Sequence, residues 1–106
     1  MATALILYPV PKDIEELERH YHEVHLPLVK KIPGLQSIKI SREPPLSLGA
    51  SSAYHLAIEL SFPSIAVMEE AFQSPESLAA GADAATFAPP GRIRYTFETE
   101  RLFEAE

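Results

Sequence analysis

The sequence predicts an α+β fold in the order β-α-β-β-α-β, with one four-stranded antiparallel sheet and its helices on a single face. Three observations carry that reading. Residues 54–62 alternate apolar and polar side chains with a period of two, the pattern of a half-buried strand. Residues 13–31 carry apolar side chains at helical spacing: at about 100° per residue, Ile14, Leu17, Tyr21, Val24, His25, Leu28 and Ile32 fall on one face. Proline and glycine clusters then divide the 106 residues into segments of element length.

Taken in order, Thr3 to Tyr8 is a short apolar run closed by Pro9 and Pro11, and reads as the first strand. Asp13 supplies a helix N-cap, with Glu16 completing a capping box. The helix runs to about Lys31. Pro27 removes one backbone donor and bends the axis near Glu23, and Pro33-Gly34 ends it. Leu35 to Arg42 alternates as a second strand, and Glu43 to Ser52, with Pro44, Pro45 and Gly49, reads as an exposed loop. In the third strand Tyr54, Leu56, Ile58, Leu60 and Phe62 share the helix-facing side, leaving His55, Ala57, Glu59 and Ser61 on the other.

Ser64 opens a second helix through Ile65, Met68, Ala71 and Phe72. Ser74-Pro75 starts a separate alanine-rich helix, with proline at its favoured first position, and Pro89-Pro90-Gly91 closes it. Arg92 to Phe103 reads as the last strand, with Ile93, Tyr95 and Phe97 toward the helices and Arg94, Thr96 and Glu98 away. This order is the split βαβ, or ferredoxin-like, arrangement, and residues 1–106 form one domain without linker or repeat. The face opposite the helices then mixes small and polar groups, among them His55, Glu59 and Arg94. It either stays wet or meets a second sheet, and a symmetric homodimer is the expectation.

Composition narrows the function. The absence of cysteine removes disulfides, thiolate catalysis and cysteine-held metal clusters. Fifteen acidic against nine basic residues give a net charge of −6, a poor balance for binding a phosphate backbone, so no nucleic-acid partner is expected. No apolar run is long enough to span a bilayer and Met1 to Leu5 lacks a signal-peptide pattern, so no membrane partner and a cytoplasmic location are expected. No phosphate-binding glycine loop or nucleophile elbow is present.

The chemistry concentrates in Tyr21-His22-Glu23-Val24-His25-Leu26-Pro27-Leu28. Tyr21-x-x-x-His25-x-Pro27-Leu28, followed by Ile32-Pro33-Gly34-Leu35, resembles the EthD-like family of dimeric α+β-barrel proteins. The resemblance spans the chain in length and element order, but its specific part is about fifteen residues around the first helix. It implies a dimer of ferredoxin-like subunits with a pocket between helices and sheet. It also implies a connection with the catabolism of ethers and other xenobiotics. Some fungal relatives act on aromatic polyketides in dehydration or decarboxylation steps without metal or organic cofactor. The motif positions carried over are Tyr21, His25, Pro27 and Leu28.

His25 and Tyr21 are the candidate catalytic residues. An imidazole on the sheet-facing side can act as general base or acid, or hydrogen-bond a substrate oxygen. On composition alone a core histidine satisfied by a carbonyl or carboxylate is the commoner case; with the resemblance, the pocket is preferred. Tyr21 orients His25 or donates to the ligand. His22, Leu28, Tyr54, Tyr95 and Phe97 are candidate substrate-binding residues, His22 at the pocket mouth and the aromatic residues along its apolar wall. His20 is read as solvated.

Glu18, His22 and His25 have the composition of a two-histidine, one-carboxylate metal site, but they extend over two helical turns, too far for one ion. His55 would have to face the helix to help, and strand alternation turns it away, so neither metal nor other cofactor is expected. The small residues from Leu78 to Phe87 either leave a cavity over the sheet, or a movable lid, or let the helix pack tightly. The expected function is cofactor-independent proton-transfer chemistry (dehydration, isomerisation, decarboxylation or cyclisation) on an aromatic or carbonyl-bearing small molecule. The alternative is a non-catalytic ligand-binding protein or an accessory to an oxygenase.

Overall fold

Backbone pairing decides which side chains can meet, and here it yields one four-stranded antiparallel sheet in the order β2-β5-β1-β6. A computed structural model describes all 106 residues. The strands are β1 (Ala2–Pro9), β2 (Ser37–Ile40), β5 (Tyr54–Phe62) and β6 (Ile93–Glu98); β3 (Leu46–Ser47) and β4 (Ala50–Ser51) form a separate small hairpin. The helices are α1 (Ile14–His20), a π-helical segment (Tyr21–His25), α2 (Leu26–Val29), α3 (Ile65–Ala71) and α4 (Pro75–Phe87). The expected β-α-β-β-α-β order is present, and the two long strands β1 and β5 lie side by side at the centre, as the ferredoxin-like arrangement requires.

Local signals set the helix starts. Asp13, Ser64 and Ser74 each cap with a side-chain oxygen that accepts from the backbone N–H three residues on. The residue after Pro33 has φ of +79°, and a Cβ there would sit 2.7 Å from Val67 Cγ1, so only glycine serves at Gly34. The expected loop from Glu43 to Ser52 instead contains the β3–β4 hairpin, turned by Leu48 and Gly49 at φ of 49° and 81°. The last strand stops at Glu98, short of the expected Phe103, and residues 99–106 have no regular structure.

The first helix is not uniform. Its buried residues Leu17, Tyr21, His25 and Val29 recur every fourth position. On an ordinary α-helix each such step drifts by about 40°, so Val29 would end about 120° from Leu17. The π-helical segment, where the Leu26 N–H reaches back to the Tyr21 carbonyl, has a wider turn that takes up the drift. Pro27 lies just beyond and cannot donate to the Glu23 carbonyl, so regular pairing fails at this turn. Ile14 and Val24, expected on the inner face, are exposed.

Two strand expectations need correction. The register pairs Leu5 with Tyr95 and Thr3 with Phe97, while Ala4 pairs with Thr96 and Ile6 with Arg94. Ala4 is buried under the helices, so Arg94, Thr96 and Glu98 share the helix side, and Tyr95 and Phe97 lie on the open face with Leu5. Apolar alternation in β6 marks a face to be covered, but the cover is not this chain's helices. The second correction concerns His55. Tyr8 pairs with Leu56 and Pro9 with Tyr54, so His55 is the extra residue of a β-bulge. Both His55 and Leu56 are buried, and the His55 ring turns toward the helices, where its Nε2 lies 2.8 Å from Glu18 Oε1.

The core lies between sheet and helices, with Tyr8, Ile58 and Phe62 from the sheet against Leu17, Tyr21 and Met68 from the helices. No helix is long and apolar enough to cross a membrane.

Candidate functional site

A cavity of about 560 Å³ opens between the helices and the β1–β6 side of the sheet. Helix α4 makes it possible. Ser77, Ala80, Gly81 and Ala84 form its wall there, so the small side chains leave space that bulkier ones would fill. Ile6, Leu60 and Phe72 give it an apolar floor, and His25, Tyr8, Ser77, Arg92 and Arg94 bring groups able to bond a ligand to its lining.

His25 is held from α4. Its Nδ1 lies 3.0 Å from Asp83 Oδ2, and the same carboxylate meets His20 Nε2 at 2.9 Å through Oδ1. Partial burial pushes the Asp83 carboxyl up, but the hydrogen bonds from His20 and His25 outweigh it and hold it below the usual carboxylate range. An ionised carboxylate only accepts, so both nitrogens facing it carry protons. His25 is therefore the Nδ1–H tautomer when neutral, leaving Nε2 with a free lone pair. Burial lowers the His25 pKa, and the hydrogen bond and charge of Asp83 only partly restore it, so the ring is neutral at pH 7. Such an arrangement of carboxylate, oriented imidazole and free Nε2 can accept a proton from a ligand.

Aromatic packing fixes the rest. Phe87 stacks on His20 with ring centroids 4.2 Å apart and lies 5.1 Å from the His25 ring. His20, read from sequence as solvated, is thus pinned between Phe87 and Asp83. Tyr21 is buried, with its ring 5.5 Å from His25 and 6.3 Å from Tyr8. It packs behind the imidazole; the tyrosine on the cavity wall is Tyr8. Tyr8 hydrogen-bonds nothing in the chain, yet no wholly enclosed polar atom lacks a partner, so its hydroxyl opens onto the cavity. Burial is the main cause raising its pKa to about 12, opposed by nearby Arg92 and aided by Asp83.

The remaining sequence candidates lie elsewhere. His22 is half-exposed and faces Glu18 at 3.6 Å, on a second, smaller cavity with Arg42, Glu43 and His55. Leu28 packs half-buried against the core, and Tyr54, also half-buried, lines neither cavity. Tyr95 and Phe97 are on the far side of the sheet. The bulge brings His55 to Glu18, so the alternation argument against it fails, but each Glu18 oxygen faces one imidazole and no three such groups converge on a metal-sized point. Sequence reading missed Tyr8, Arg92 and Asp83 as site residues. Asp83 did leave a signal, as the one charged residue between Leu78 and Phe87.

The EthD domain profile matches residues 11–91. An uncharacterized 11.0 kDa protein in the thcB–thcC intergenic region of Rhodococcus erythropolis is 38% identical over 91 residues, covering 86% of this chain and 87% of the relative. The crystal structure of an ethyl tert-butyl ether D (EthD) family protein from Bacillus halodurans superposes with a TM-score of 0.86 at 30% identity, over 94% of this chain and 99% of that one. Two others share the fold at low identity. A hydroxynitrile lyase from Passiflora edulis has a TM-score of 0.75 at 12% identity, over 97% and 96% of the chains. A dimeric ferredoxin-like protein of unknown function from Thermobifida fusca scores 0.68 at 17%, over 92% and 90%.

Proposed function

Since the chain belongs to the EthD family, we propose that it is a small-molecule enzyme working without a cofactor, in which His25 gives or takes a proton on an aromatic or carbonyl-bearing compound. The observation that carries this reading is the Asp83–His25 pair at the wall of an apolar cavity. Asp83 fixes the tautomer, burial keeps the ring neutral, and Nε2 is left unengaged for a ligand. Tyr8 supplies a hydroxyl for a substrate oxygen, and Tyr21 supports the His25 ring from behind. Proton removal next to a carbonyl, or its return, is the shared step of dehydration, isomerisation, decarboxylation and cyclisation. A hydroxynitrile lyase of the same fold is in keeping with such chemistry.

The working unit we infer is a homodimer. Leu5, Tyr95 and Phe97 make one apolar strip on the face without helices, and the two aromatic side chains are 56% and 43% exposed in the single chain. A patch of this kind on a sheet is stabilised by a second sheet. The dimeric ferredoxin-like protein from Thermobifida fusca supports this assembly.

The test is turnover of a panel of phenolic, quinonoid and ketone compounds in D₂O, read by mass and NMR for product and for solvent deuterium at carbon. Wild type should convert or exchange at least one compound, and His25→Ala should abolish this while still binding it. Binding by wild type with neither conversion nor exchange anywhere in the panel would reduce the protein to a ligand carrier.

A further inference from the structure

The cationic side of the cavity is not used by the proton-transfer reading. Arg92 directly precedes β6, and Arg94 lies on the helix side of that strand, opposite Ile6. Both line the cavity. Neither is ion-paired: the arginines that meet carboxylates are Arg19, with Glu16 and Glu23, and Arg101, with Glu104. In a chain of net charge −6, two unpaired guanidinium groups on the wall of one cavity are a departure from the surrounding balance. Arg94 is also held in place, its Cζ 4.4 Å above the Phe72 ring, and Phe72 forms part of the cavity floor. A ligand on that floor would find a planar cation beside the same ring.

Guanidinium is matched in shape and hydrogen bonding to a carboxylate, which it can grip through two parallel N–H donors. Apart from Ser77, the rest of the lining is apolar or small, Val29, Ile32 and Leu60 among it. Such walls suit a ring or short hydrocarbon body and offer little to a highly hydrated polyanion. We propose that the cavity takes a carboxylate-bearing compound with an apolar, ring-sized body, its carboxylate held by Arg92 and Arg94 from the sheet and its reacting end presented to His25 from the helix. The proposal rests on the cavity being the working site and adds to it the class of ligand and the orientation.

Titration calorimetry on the full chain with 2-naphthoate and its neutral counterpart 2-acetonaphthone separates charge from shape. Naphthoate should bind at least tenfold more tightly than the ketone. Arg94→Gln and Arg92→Gln should each weaken naphthoate several-fold and the ketone far less, while Arg94→Lys should keep part of the preference. Both arginines are exposed, and an unchanged near-ultraviolet circular dichroism spectrum confirms the fold of each variant. Equal affinity for the two compounds, no binding of either, or equal weakening of both by the glutamine variants would overturn the proposal. The catalytic reading stands or falls apart from it: naphthoate preference with no turnover of any carboxylate would leave the binding site and remove the reaction.

Discussion

Asp83 Oδ1 meets His20 Nε2 at 2.9 Å while its Oδ2 meets His25 Nδ1 at 3.0 Å, so one carboxylate on α4 holds two imidazoles of the first helical stretch. The two imidazoles do different work. His20, stacked on Phe87, shares the carboxylate and keeps it ionised, and His25 presents its other nitrogen to the cavity.

Asp83→Asn keeps the size of the side chain but removes its charge and lets it donate as well as accept. His25 then loses its fixed tautomer, and its pKa falls further, because the hydrogen bond and charge of Asp83 are what raise it. Turnover should drop by roughly 10²–10⁴, the range for disrupting an oriented imidazole, with ligand affinity little changed. Steady-state kinetics and an imidazole NMR titration check both effects.

The tyrosines should separate by position. Tyr8→Phe removes a hydroxyl that opens on the cavity and bonds nothing in the chain. Stability should therefore move by less than about 0.5 kcal/mol, while turnover or ligand affinity falls by about tenfold, the worth of one hydrogen bond. Tyr21→Phe, behind the imidazole, should leave turnover within about threefold. The reverse order of effects would place the ligand on the Tyr21 side of His25.

Stability should fall on acidification in two stages. The folded His25 pKa lies below its ordinary 6.5, so the unfolded chain binds more protons there, and the stability contributed is complete above that value and lost as pH falls below it. Asp83, also depressed, adds a loss farther down, as pH falls through the acidic range below its ordinary 3.8. Thermal melts should show a decline in Tm below pH 6.5 that is shallower in His25→Gln than in wild type. A parallel slope in the variant would mean that another group governs it.

Phe97→Glu or Tyr95→Glu would place a charge in the apolar strip on the open sheet face. Sedimentation should give about twice 11.7 kDa for wild type and the single-chain mass for the variants. Because these side chains are off the core, the variant monomers should retain their circular dichroism signature.

Element order was legible because its signals are local. The caps at Asp13, Ser64 and Ser74 and the stops at Gly34 and Gly91 need only a few neighbouring residues to be read. The phase of β6 was not. Apolar alternation tells which residues share a face but not whether helices or another sheet will cover it, and Tyr95 and Phe97 fell on the side this chain leaves open. His55 sits in an unbroken alternation, yet the bulge opposite Tyr8 and Pro9 reverses it, a feature set by the partner strand. His25 was visible as an imidazole on an apolar stripe, while Asp83 lies 58 residues away on another helix and could be joined to it only through the fold.

The π-helical turn from Tyr21 to His25 also changes what a gap would mean among relatives of this chain. A wide turn of this sort is equivalent to one inserted residue in a regular helix. A relative lacking one residue there could close the turn as ordinary helix and keep both flanking stretches on the same faces. A one-residue gap would then shift the count along the helix without changing which side chains face α4. Equivalence across relatives is therefore better assigned by which side chain meets the carboxylate on α4 than by counting positions along the first helix.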